Sequence, residues 1–383
     1  MAKIPLLDMK AQIIPIRAEI DEAIARVIDN GSFILGEEVR LLEEEVSKYC
    51  GVRHAVGVSN GTDAITLALE AAGLKSGDRV LCPSFTYFAT AGAAARLGVE
   101  PVFIDIDPTT YCINPTLTGN YFKQDLRYDI RNTKAIIAVH LYGQCADLDS
   151  LSGVAKMYNL NLIEDTAQAF GATYKDKVAG SIGDSGTISF FPGKNLGAFG
   201  DAGMILTNDN EKAERIRRLR NQGANPRNKY DHQFIGHNNR LDAIQAAVLR
   251  VKLKYVDGWN KKRAENASYY NGKLKDLDIV TPAVSEYNTH IYHQYVIRAK
   301  DKDQRDAIVS HLNKKEIDSR TYYPIPLHMQ RCFKYLGYQN DDFPESLKAS
   351  ETTFAIPVYP ELKTEEMDLV VETIKEGLNS NSK

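Results

Sequence analysis

The sequence predicts an α/β protein, with a mixed and mostly parallel sheet in a large domain and a smaller α+β domain at the C-terminal end. Three observations lead to this reading. Short apolar runs alternate with helical stretches from His54 onward, the pattern of parallel βαβ units with helices on both sides of a sheet. From about residue 250 the order shifts to more helix and fewer strands. A length of 383 residues allows two cores of useful size.

Taken in order, "EEVRLLEEEVSKY" sets Val39, Leu42, Val46 and Tyr49 at helical spacing with acids between them, an amphipathic helix. "HAVGVSN" reads as a strand and "GTDAITLALEAAG" as a helix closed by Gly73. "RVLCPSF" then precedes the helical "ATAGAAARLG", with "PVFIDID" after it. "KAIIAVHLYG" leads into the helix of "DLDSLSGVAKMYN", followed by "LNLIEDTAQ". "GTISFF" and "GMILTN" succeed each other with no helix between them, so part of the sheet is expected to be antiparallel. A long helix is expected from "RLDAIQAAVLRVKL" towards Trp259. After it come "HQYVIRA", the helix "RDAIVSHLNKKE", "SRTYYP" and a C-terminal amphipathic helix in "KTEEMDLVVETIKEGL". The expected division is residues 1–258, including an N-terminal helical arm, and residues 259–383.

Composition narrows the function. A net charge of −3 gives bulk electrostatics no preference for nucleic acid or an acidic membrane surface, although local basic groups still suit a phosphate. The start, "MAKIPLLDMK", has no apolar stretch of the signal-peptide kind, and no run reaches the roughly 18 apolar residues of a membrane span, so a cytoplasmic protein is expected. Cys50, Cys82, Cys112, Cys145 and Cys332 are odd in number and contain no C-x-x-C pair, which favours reduced thiols over a metal or redox centre. His140 and Cys145 flank "HLYGQC" without a second ligand pair, and no metal site is expected.

"SFFPGKNLGAFGDAG" raises a sharper question. Lys194 sits in a turn built from Pro192, Gly193 and Gly197, after two phenylalanines and with no other basic residue near it. A partly desolvated ammonium loses basicity, which frees the amine to act as nucleophile or base. The spacing rejects a Walker A loop, because Ile188 stands where a glycine is required and Asn195 where Ser or Thr is. The stretch alone leaves a reactive lysine and a structural turn both open. In "LNLIEDTAQAFGA", Glu164 and Asp165 end an apolar strand and point to opposite faces, so at most one meets a given pocket. Capping the next helix is the plain alternative for Asp165. Taken together, an amine and a carboxylate at the ends of separate strands suit an aldehyde-bearing pyridine cofactor, which needs the first for a Schiff base and the second to keep its ring nitrogen protonated.

"SNGTDAITLAL", "PSFTYFATA", "PVFIDIDPTTYCINP", "VHLYGQCADLD", "IEDTAQAFGA", "SFFPGKNLGAFGDAG" and "GHNNRLDAIQAAVL" together resemble, in order, the motifs of the DegT/DnrJ/EryC1/StrS sugar aminotransferases. The resemblance implies the aspartate-aminotransferase-like fold (fold type I) and pyridoxal 5′-phosphate as cofactor. It makes Lys194 the lysine that carries the cofactor and Asp165 the partner of the ring nitrogen, with Gln168 near the ring hydroxyl and Tyr87 against the ring face. Without the resemblance, Tyr87 reads as core. The phosphate is expected at the backbone N–H groups of Gly61 and Thr62, where a helix begins, with the Ser189 hydroxyl. Plain N-capping is the alternative for Thr62 and Asp63. Asn238 matches an asparagine that reaches the phosphate from a neighbouring subunit, which implies a homodimer with shared sites.

The activity implied is a two-stage transfer of an amino group from L-glutamate to a keto-sugar nucleotide, giving an amino sugar for a glycan such as lipopolysaccharide or an S-layer glycan. "YNTHIYHQYVIRAKDKDQRD" and "SRTYYPIPLHMQRCF" look most like members that aminate C3 of a dTDP-linked 3-keto-6-deoxyhexose, with C4 amination of a 4-keto sugar nucleotide as the runner-up. Tyr322, Tyr323 and His328 are candidates for the sugar pocket, against ordinary packing, and Arg240 for a nucleotide phosphate, against an ion pair. A sugar 3-dehydratase has histidine in place of Lys194. A non-catalytic regulatory protein has no need of Lys194, Asp165, Gln168 and Ser189 together, and no helix-turn-helix segment is present to read DNA.

Overall fold

The computed structural model describes residues 3–124 and 130–380. Seven strands form the main sheet: β1 (His54–Val58), β2 (Arg79–Pro83), β3 (Glu100–Ile104), β4 (Thr133–Val139), β5 (Asn161–Asp165), β6 (Ser185–Ser189) and β7 (Gly203–Thr207), in the order β1-β7-β6-β5-β4-β2-β3. Neighbours from β3 through β2, β4 and β5 to β6 are parallel, whereas β7 runs antiparallel to both β6 and β1. The mixed sheet expected from "GTISFF" and "GMILTN" is therefore present. Every strand carries at least four buried residues, as strands covered by helices on both faces require.

Because β7 alone is reversed, the C-terminal ends of the other strands share one edge, where ligands bind in sheets of this type. Three chain segments at that edge matter for function. β1 runs into the helix Gly61–Ala71; β5 ends at Asp165; and β6 ends at Ser189, after which residues 190–202 turn back into β7. The last segment carries Lys194. Gly197 has to be glycine there, because a Cβ would lie 2.3 Å from the Pro192 carbonyl oxygen.

A second buried cluster joins Tyr270 and Leu274 of the helix Val256–Leu274 to the antiparallel pair Tyr295–Arg298 and Thr353–Ile356, and to the helices Lys302–Lys314 and Thr364–Ser380. Ile4 belongs to this cluster and bridges Ile317, so the N-terminal strand segment packs with the C-terminal elements. One expectation is corrected. The single long helix from Arg240 is two helices, Ala243–Leu253 and Val256–Leu274. The break falls at Tyr255 (φ −108°, ψ −12°), whose hydroxyl donates to Glu19 and whose ring stacks on Trp259. Among the described residues no helix is long and apolar enough to cross a membrane. All five cysteines are free, four of them buried.

Candidate active site

At the end of β5 the alternation of a strand separates two neighbouring carboxylates. Glu164 turns inward and is fully buried. It accepts from the backbone N–H groups of Gly180 (2.8 Å), Ile182 (2.7 Å) and Gly183 (2.6 Å), and from His140 Nε2 at 2.9 Å. His140 Nδ1 accepts from the Ala146 N–H, so its hydrogen is on Nε2. Burial opposes the charge on Glu164, but the bonds from His140 and the backbone outweigh it and hold the carboxyl below its usual range. Glu164 is thus a structural anchor for the strand end.

Asp165 turns the other way, into a cavity of about 820 Å³. Thr90 Oγ1 donates to Oδ2 (3.1 Å) and the Ala167 N–H to Oδ1 (3.1 Å). Burial raises this carboxyl's pKa, opposed by the Ala167 N–H and by the charge of Lys194. Lys194 lines the same cavity, on a turn closed by its own N–H to the Phe191 carbonyl (2.8 Å). Its side chain is half-buried and open to the cavity, and no hydrogen bond holds its ammonium among the described residues. Desolvation brings it down to about 8, and attraction from Asp165 works in the opposite direction. From behind the turn, the buried Lys252 donates to the Gly197 carbonyl (2.5 Å).

A third cluster comes from the start of the helix Gly61–Ala71. Asn60 caps it, its side chain accepting from the Asp63 N–H (2.8 Å), and the Ala64 N–H goes to the Asn60 carbonyl. Of the N–H groups at the start of the helix itself, that of Asp63 is capped and those of Gly61 and Thr62 remain for a ligand. A Cβ on Gly61 would lie 2.6 Å from Ser189 Cβ, so glycine is what lets this helix start approach the Ser189 hydroxyl. Two N–H groups at a helix dipole's positive end, beside a hydroxyl, suit a phosphate.

Gln168 and Tyr323 complete the wall. The Tyr142 N–H donates to Gln168 Oε1 (2.9 Å), so the amide nitrogen donates to the Tyr323 hydroxyl (2.8 Å). Tyr87, 59% exposed, stands at the cavity with its ring 6.1 Å from that of Tyr323. The cavity thus brings together Gly61, Thr62, Tyr87, Asp165, Gln168, Ser189, Lys194, Tyr322 and Tyr323. Phosphate cradle, amine, carboxylate, amide and aromatic face are the groups that pyridoxal phosphate requires, and the donor set fits it.

Three candidates lie elsewhere. His328 is corrected: it is buried, its Nδ1 accepting from Ser84 Oγ (2.6 Å) and its Nε2 donating to the Asn340 carbonyl (3.2 Å). Both ring nitrogens are occupied inside the protein, so it is not a lining residue of the cavity. Arg240 is also outside the cavity, donating to Asn221 Oδ1 (3.0 Å). Asn238 bridges Asn221, likewise away from its own chain's cavity. Sequence reasoning missed Arg96, Arg263 and His293, which do line it. His293 opens "HQYVIRA", a run whose strand pattern drew attention to its apolar residues instead.

The profile of the DegT/DnrJ/EryC1/StrS aminotransferase family matches residues 15–375. A Geobacillus stearothermophilus protein described as a pleiotropic regulatory protein is 43% identical, with 97% of this chain and 98% of that one covered. The dTDP-3-amino-3,6-dideoxy-α-D-galactopyranose transaminase of Aneurinibacillus thermoaerophilus is 42% identical, with 97% and 98% covered. The crystal structure of S. venezuelae DesV in complex with a ketimine intermediate matches with a TM-score of 0.92 and 37% identity, covering 98% of each chain.

Proposed function

Since this chain belongs to the DegT/DnrJ/EryC1/StrS aminotransferase family, we propose that it moves an amino group from L-glutamate to C3 of a 3-keto, dTDP-linked 6-deoxyhexose. It is a pyridoxal-phosphate-dependent sugar aminotransferase. One observation carries the reading: Lys194 and Asp165, from separate strand ends, face one cavity with the cradle of Gly61, Thr62 and Ser189. The choice of C3 and of dTDP draws on the A. thermoaerophilus relative and its 3-amino sugar.

Pyridoxal phosphate, when bound, supplies a protonated ring that withdraws electrons from the α-carbon of an attached amine. Gly61, Thr62 and Ser189 would hold its phosphate, and the charge of Asp165 would retain the proton on the ring nitrogen. Gln168 would meet the ring hydroxyl and Tyr87 would cover the ring. Lys194 would be the amine that holds the aldehyde carbon and, as a free amine, the base that moves the proton of the donor α-carbon. General acid–base action of this kind contributes roughly 10²–10⁴-fold. Tyr322 and Tyr323 offer hydroxyls and ring faces to the sugar.

Asn238 reaches the phosphate of a second copy in a homodimer. Phe33 and Phe199 support this arrangement: both are exposed, and they bracket the start of the helix Ala243–Leu253 through bonds from the Ala243 N–H to the Phe33 carbonyl and from the Phe199 N–H to Gln245. Asn238 lies five residues before that helix. Apolar residues around such a position favour a covered face.

The test is a two-stage visible spectrum. L-Glutamate is expected to bleach the band of the lysine-bound cofactor; after the donor is removed, a 3-keto sugar nucleotide is expected to restore it. Restoration by a 4-keto compound alone would move the assignment to C4. A regulatory role is the second reading, favoured by the description of the G. stearothermophilus relative; a band that glutamate never bleaches would support it.

A further inference from the structure

His293 lines the same cavity as Lys194 and takes no part in the chemistry above. Its hydrogen is placed by groups well behind it. Asn260 Nδ2 donates to the Phe170 carbonyl (3.1 Å), so its amide oxygen is the atom that faces Asn195. Asn195 Nδ2 donates to that oxygen (2.7 Å) and to the Ile291 carbonyl (3.3 Å). Flipping either amide would set oxygen against a carbonyl oxygen, so the two backbone groups determine both orientations. The remaining Asn195 oxygen lies 3.0 Å from His293 Nδ1 and can only accept. Nδ1 therefore carries the hydrogen.

In a neutral ring the lone pair then lies on Nε2, at the cavity wall, while the ring's hydrogen bond among the described residues is made through Nδ1. Burial keeps the ring neutral, and the nearby charges of Lys194 and Arg263 act in the same direction. Such a ring accepts a hydrogen bond readily and a proton poorly. We infer that His293 is a positioning residue for Lys194: its Nε2 lone pair, oriented by the Phe170–Asn260–Asn195 chain, is the cavity acceptor towards which the protonated lysine turns, its ammonium making no hydrogen bond among the described residues. Lys194 and Asn195 are adjacent, so one turn aligns both the amine and the oxygen that orients the imidazole. The inference rests on the reading of Lys194 as the proton-carrying amine.

The first test uses the cofactor-free protein with ¹⁵N-labelled histidine. The His293 signals are expected to show a neutral ring with its hydrogen on Nδ1 at pH 8; a hydrogen on Nε2, or on both nitrogens, overturns the inference. The second compares His293→Leu with His293→Gln, whose amide can donate to Asn195 and still accept from the lysine. In the Leu variant, the pH midpoint for covalent cofactor capture by Lys194 is expected to fall by about one unit and kcat by about tenfold, as for the loss of one charge-assisted bond. The Gln variant is expected to recover most of both. An unchanged midpoint in the Leu variant overturns the positioning role. Covalent capture that survives Lys194→Ala overturns the lysine reading instead, whatever the histidine spectrum shows.

Discussion

Lys194 combines a position and a basicity that suit its task, and the basicity is open to measurement. Burial disfavours the ammonium and lowers the group to about 8, with Asp165 opposing. The free amine is thus the minor form at pH 7 and the major form at pH 9. Covalent capture of pyridoxal phosphate by the cofactor-free protein should follow the free amine, rising about tenfold per pH unit below about 8 and levelling above it. An ordinary lysine would go on rising towards about 10.4. Stopped-flow absorbance across this range decides the matter, and a rate that climbs steadily through pH 9 counts against a desolvated Lys194. The residues legible in the sequence were those whose chemistry is concentrated in short motifs: Lys194 in its glycine turn, Asp165 at a strand end, Gln168 beside it. His293 was not legible, because its role depends on Asn195, 98 residues away, and through it on Asn260. His328 was misread for the same reason, since its partner Ser84 is 244 residues distant.

At the scale of elements, the site depends on how closely a helix start can approach a strand end. Intrinsic propensity favours alanine over glycine within a helix by about 1 kcal/mol, so Gly61→Ala should strengthen the helix taken alone. The packing says the opposite, because the new Cβ would lie 2.6 Å from Ser189 Cβ and 3.2 Å from its Cα. A backbone atom cannot rotate out of the way, so the helix start and Ser189 must separate. Affinity for pyridoxal phosphate is expected to fall about tenfold or more, in line with a lost charge-assisted bond of roughly 1.5–3 kcal/mol, with little loss of helical content. Fluorescence titration with the cofactor measures this, and an unchanged Kd would place the phosphate elsewhere. Apolar runs made the strands of the main sheet readable, since strands buried on both faces announce themselves. The break at Tyr255 was hidden, because helical pattern continues on both sides of it and its contacts with Glu19 and Trp259 are tertiary.

For the whole molecule, the decisive feature is what one chain's cavity does not contain. Cradle, amine and carboxylate all come from a single copy, but Asn238 stands outside that copy's cavity. If Asn238 serves a partner's phosphate, each site needs residues from two chains, and the two kinds of defect become separable. Lys194→Ala disables the site in its own chain. Asn238→Asp sets a second anion against the phosphate bound by the partner and so disables the partner's site. In a mixed dimer of the two variants, one site carries both defects and the other carries neither. Random assortment of equal amounts makes about half of the dimers mixed, each with one of two sites intact, so activity should recover to about one quarter of the unaltered enzyme. Either variant alone should remain close to inactive. Co-expression with distinct affinity tags measures this directly, with about one quarter of the activity expected in the unselected pool and about one half in the doubly tagged fraction, where every dimer is mixed. A mixed dimer as inactive as its parents would show that Asn238 acts within its own chain and that the sites are not shared.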